Sequence, residues 1–92
     1  MPNLAVGQQV WIRCKVQPGP FSDEPLITIE AADGPFSGFI QIQELSQSPD
    51  GQPRVRGIVR GIQDDMIEAW IRGSFFTTNG LTHVPREMAV AA

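Results

Sequence analysis

Ninety-two residues, 41% of them hydrophobic and 18% charged, make a chain long enough for one small core and too short for two. That hydrophobic content excludes a disordered chain. Seven basic residues against ten acidic ones, a formal net charge of −3 and an isoelectric point near 4.9 exclude a protein that is basic overall, as general nucleic-acid and membrane-surface binders are. A local basic patch remains compatible with these totals, because salt screens charges beyond roughly 8–10 Å.

The first expected strand covers residues 9–16. Trp11, Arg13 and Lys15 take one parity, and Val10, Ile12, Cys14 and Val16 take the other. Successive side chains of a strand point to opposite faces, so this segment carries its cations on one side and a β-branched set on the other. Cys14 is the only cysteine. It excludes an internal disulfide and a Cys-only zinc site, and its parity makes it a small buried apolar group. Residues 17–25, with Pro18, Pro20 and Pro25, read as a loop, because proline supplies no amide donor.

Residues 26–30 form the second expected strand, and residues 31–35 turn the chain. The third strand is expected over residues 36–45. Phe36, Gly38, Ile40 and Ile42 share one parity and Phe39, Gln41 and Gln43 the other, with a single helical turn near residues 44–46. Ser48-Pro49-Asp50-Gly51 is a turn signal. The fourth strand, residues 54–62, alternates strictly: Arg54, Arg56 and Arg60 lie on one parity, and Val55, Gly57 and Val59 on the other. After a tight connection at residues 63–65, the fifth strand covers residues 66–71 and sets Trp70 on the parity of Met66 and Glu68. Residues 75–78 and 81–84 flank Asn79-Gly80, a type I′ hairpin signal. Pro85 stops that strand, and residues 88–92 read as a frayed tail.

No long segment carries a 3.6-residue period. Five or six short strands with Gly/Pro turns predict one all-β domain over residues 1–92, a small closed or partly open barrel, since closure removes sheet edges. Gly19-Pro20-Phe21-Ser22 recurs as Gly34-Pro35-Phe36-Ser37. Phe21 and Phe36 are expected to plug the ends of a hairpin, and with Trp70 they are the candidate contacts for a protein partner.

The third and fourth strands resemble the S1 class of oligonucleotide/oligosaccharide-binding (OB) barrels. Gly7 leads the first strand, Gly38-Phe39-Ile40-Gln41-Ile42-Gln43-Glu44-Leu45-Ser46 is similar to the family's third-strand motif, and residues 51–59 are similar to its linker and fourth strand. The likeness spans roughly residues 7 to 72. Gln41 stands where the family usually has histidine, the loop at residues 18–25 is longer, and the segment after Gly73 has no counterpart in a minimal S1 barrel. An SH3-like barrel would use the same strands and turns. The resemblance implies that the first and fourth strands are neighbours, which would gather Trp11, Arg13, Lys15, Arg54, Arg56 and Arg60 on one surface. Arginine forks match phosphate and an indole stacks on a base. With Phe39 as a second platform and Gln41 at the histidine position, these residues form the expected site for single-stranded RNA. Alternating arginine also decorates ordinary solvated strands and discourages edge pairing.

Groups for catalysis do not converge in the sequence. His83 is the only histidine, with no local carboxylate to orient it as a base. Asp64-Asp65 reads as a solvated turn, one carboxylate pair being a poor Ca²⁺ or Mg²⁺ site. Phosphate-loop, zinc and nucleophile-elbow spacings are missing, so the expectation is a binding module, not an enzyme, with no metal and no cofactor. Residues 1–4 show no basic leader before an apolar stretch, and no apolar run approaches the ~20 residues of a membrane span. A cytoplasmic protein is expected, with single-stranded RNA or a protein as its partner, no membrane partner, and an open oligomeric state.

Overall fold

The computed structural model describes residues 4–32, 34–47, 51–75 and 80–91. The chain is all-β. Strands β1 (Gln9–Arg13), β2 (Lys15–Phe21), β3 (Glu24–Ala31) and β4 (Gly34–Phe39) lead to a 3-10 turn at Ile42–Glu44. Next come β5 (Leu45–Gln47), β6 (Pro53–Gln63), β7 (Met66–Trp70), β8 (Ser74–Phe75) and β9 (Leu81–Pro85). A second 3-10 turn (Arg86–Met88) then precedes β10 (Ala89–Ala91). One six-stranded sheet runs β10-β1-β6-β7-β9 with β5 also on β6, and a four-stranded sheet runs β2-β3-β4-β8. Every pairing is antiparallel. No helix among the described residues is long and apolar enough to cross a membrane.

Two-residue alternation builds the core. The largest fully buried side chains are all isoleucine or valine, and they come from both sheets: Val10, Ile12, Val55 and Ile67 from the six-stranded one, Ile27 and Ile29 from the other. β-branched side chains pack well on a pleated, half-buried surface, and the outward positions of β1 and β6 carry Trp11, Arg13, Arg54, Arg56, Ile58 and Arg60. The chain passes from one sheet to the other through a single residue, Cys14, whose side chain is buried and whose amide donates to the Pro53 carbonyl at 3.2 Å.

Several expectations need correction. Among the described residues neither sheet closes into a barrel, and the strand count is higher than five or six because long expected strands break and the tail adds β10. Residues 17–21 are strand, not loop. β2 is the edge of its sheet, where the missing proline amides cost no ladder bond, and its register shifts between Gln17 and Phe21. A side chain at Gly19 would collide with the Glu24 carbonyl, so the bulged strand needs glycine there to come back over its partner. The third strand stops at Phe39, which leaves Ile42 53% exposed on the 3-10 turn. The tail is ordered through β10, which pairs with β1 from Val10↔Ala91 to Ile12↔Ala89. The Asn79 half of the expected hairpin turn lies outside the described residues; β9 pairs with β7 and β8 with β4.

Candidate functional site

β1 and β6 are neighbours, with Trp11 opposite Arg56 and Arg13 opposite Arg54. The Arg56 guanidinium carbon stands 5.2 Å from the Trp11 ring centroid, within the range of a cation–π contact. On its other side Trp11 meets Val90 of β10, so the indole is half-buried, neither sealed in the core nor bare. Arg13 and Arg54 place like charges directly across the ladder, which is destabilising, and among the described residues no ion pair relieves either.

Trp70 lies on the same outer face. It pairs with Ile58 of β6 and Leu81 of β9, while its neighbours Ile67, Ala69 and Ile71 point into the core. With strands about 4.8 Å apart and about 3.4 Å of rise per residue, the two tryptophans sit on the order of 12 Å apart across the sheet. Gly80, at φ +93°, packs against the Trp70 indole, and a Cβ there would come within 3.1 Å of Nε1. Arg60 occupies a bulge between Val59 and Gly61, and with Ile58, Glu68, Trp70 and Leu81 it lines a cleft of about 350 Å³. His83 Nε2 meets Glu68 Oε2 at 3.1 Å beside it.

A second cleft opens where β5 and β7 part along one edge of β6. The β5 ladder ends at Leu45↔Val55 and the β7 ladder begins at Ile58↔Trp70. Arg56 stands in the gap. Continuing each register brings Glu44 from one side and Arg72 from the other. Glu44, Arg56, Trp70 and Arg72 line this cleft of about 130 Å³. Glu44 and Arg72 also line a neighbouring cleft of about 280 Å³ that contains Phe39 and Gln41. The Glu44 carboxylate comes no closer than 3.9 Å to Arg56 Nε, beyond hydrogen-bond range. Arg56 Nε is shielded from solvent and has no hydrogen-bond partner among the described residues, while the side chain as a whole is 42% exposed.

The remaining expected residues disperse. Lys15 stands on the other sheet, where its ammonium pairs with Glu30 at 3.5 Å. Phe39 is half-buried on the outer face of the four-stranded sheet, across from Leu26 and next to Gly19. Gln41 is exposed beyond β4 and accepts a hydrogen bond from Gln43 Nε2 at 2.6 Å. Phe21 is 64% exposed near the β2–β3 turn. Phe36 is no surface contact: it is buried, with its ring centroid 4.4 Å from that of Phe75. Inward parity in β4 outweighs its place in the repeated motif.

Sequence reasoning missed Glu44 and Arg72. Arg72 was open to discovery, since it continues the alternation of Met66, Glu68 and Trp70. Glu44 was not, because only the divergence of two strands from β6 brings it to Arg56. An apolar groove of about 430 Å³ between β2 and β5, lined by Val16, Pro25, Ile42, Leu45 and Pro53, was also unforeseen. No family model, curated protein or solved structure matches the chain.

Proposed function

We propose that this protein is a small non-catalytic cytoplasmic module that binds single-stranded RNA across the outer face of its six-stranded sheet. The observation that carries the reading is the Trp11–Arg56 cation–π contact beside the opposed Arg13–Arg54 pair. Four arginines of β1 and β6 and two tryptophans share a face in a chain of net charge −3; Glu44 and Glu68 also reach that face, while Asp23, Glu24, Glu30, Asp64, Asp65 and Glu87 lie on turns or on the other sheet. Guanidinium groups hold phosphates and indoles stack on bases without regard to sequence. The β1–β6 adjacency agrees with the chain path that an S1-like OB fold implies, and this likeness supports the RNA reading by analogy alone.

Titration with a 12-nucleotide oligouridylate, followed by tryptophan fluorescence, tests the reading. Quenching is expected in the parent and in Trp70→Phe, and Trp11→Ala should weaken binding by about 1–3 kcal/mol. An emission that does not change with oligonucleotide, together with unchanged anisotropy of a labelled strand, would remove the proposal.

A protein partner is the second reading. The groove with exposed Val16 and Ile42 favours it. A partner captured after nuclease treatment and lost in Ile42→Asp would establish it.

A further inference from the structure

The gap between β5 and β7 gathers more charge than the sheet requires. The Arg56 guanidinium carbon lies over the Trp11 ring, 5.2 Å from its centroid, within the range of a cation–π contact. Arg72 lines the same cleft, and Glu44 lies beside Arg56 without coming into hydrogen-bond range. The buried Nε of Arg56 is therefore a donor that the neighbouring carboxylate does not satisfy.

We infer that this gap is a phosphate-binding site in which Glu44 holds the place of the ligand, so that a phosphate of a bound strand displaces the carboxylate and engages Arg56 and Arg72. The inference rests on the RNA reading for the source of the phosphate. Phosphate presents more acceptor oxygens than a carboxylate tethered to a short turn, and arginine receives it bidentately. Position supports the assignment. The cleft lies between Trp11 on one side and Trp70 on the other, so a phosphate held there would link bases offered to two indoles. Glu44 lowers the formal charge of the cleft from the +2 of its arginines to +1. A lone anion then gains little by entering, whereas a strand anchored elsewhere on the face can displace the carboxylate. Glu44 thus sets selectivity for a polyanion over free phosphate.

The test compares the parent with Glu44→Gln, Glu44→Ala, Arg72→Ser and the distant control Lys15→Ser. Each is titrated with a labelled 12-nucleotide oligouridylate and, separately, with inorganic phosphate while the Arg56 Nε–H and indole resonances are followed. Indole resonances also report that each variant is folded. Both Glu44 variants should bind the oligonucleotide about 3- to 10-fold tighter. Arg72→Ser should bind more weakly, with a log–log salt slope smaller by about 0.7. Lys15→Ser should match the parent. If RNA binds equally to all variants, the site is refuted while the RNA reading stands. If no variant binds RNA, that reading falls and phosphate decides. A phosphate-dependent shift of Arg56 Nε–H in Glu44→Gln, weaker in the parent, keeps the gap as a small-anion site; no shift overturns it.

Discussion

Arg13 of β1 stands directly across the ladder from Arg54 of β6, cation against cation. The pair is a liability to the fold, and under the proposed reading it is the feature that an anionic ligand would relieve. Arg54→Glu turns the repulsion into attraction and should raise stability by about 0.2–1 kcal/mol, read from the urea midpoint. The same variant should lose oligonucleotide affinity. A variant that is both less stable and fully active would show that the pair does neither job.

Gly80 holds the Trp70 side of the face in place. A methyl group there would meet the Ile71 carbonyl at 2.5 Å and the indole Nε1 at 3.1 Å, at a φ of +93° that disfavours alanine. Gly80→Ala should cost about 1–3 kcal/mol and shift the tryptophan emission. A variant with parental stability and spectrum would contradict the packing described for Trp70.

Cys14 links the two sheets, and burial pushes its thiol from 9.0 up to about 11. Above pH 9 the unfolded chain releases this proton while the folded chain keeps it, so stability falls as pH rises from 9 towards about 11, and below pH 9 this group contributes no pH dependence. Urea midpoints measured from pH 8 to 11 should decline more steeply in the parent than in Cys14→Ala. In native buffer at pH 8 the thiol should resist iodoacetamide; rapid alkylation would place it at the surface.

Ile67 is fully buried beneath the Glu68–Trp70 face. Truncation to alanine should destabilise the protein by about 2–5 kcal/mol, as measured by denaturant unfolding. A loss below 1 kcal/mol would mean that the core is not packed as described.

The legible part of this chain was local alternation. The parities of Val10 to Cys14 and of Arg54 to Val59 gave the buried and outward sides of β1 and β6 correctly, because strand geometry leaves one face for each parity. What failed depended on pairing at a distance. Pro18 and Pro20 read as breakers, yet an edge strand has a free side on which a missing amide costs little. The tail residue Val90 is ordered by Trp11, nearly the whole chain length away. Lys15 shares the parity of Arg13, but the chain changes sheets at Cys14 and Glu30 takes its charge. Arg60 keeps the outward parity of Arg54 and Arg56; what alternation does not show is the bulge there, before Gly61.

The central claim is that the arginines of β1 and β6 hold the phosphates of a single strand. The most direct measurement is the salt dependence of oligouridylate binding in the parent and in the triple variant Arg13→Ser/Arg54→Ser/Arg56→Ser. Loss of three phosphate contacts should reduce the log–log slope by about 2. An unchanged slope, or a parent that binds no oligonucleotide at low salt, would contradict the account.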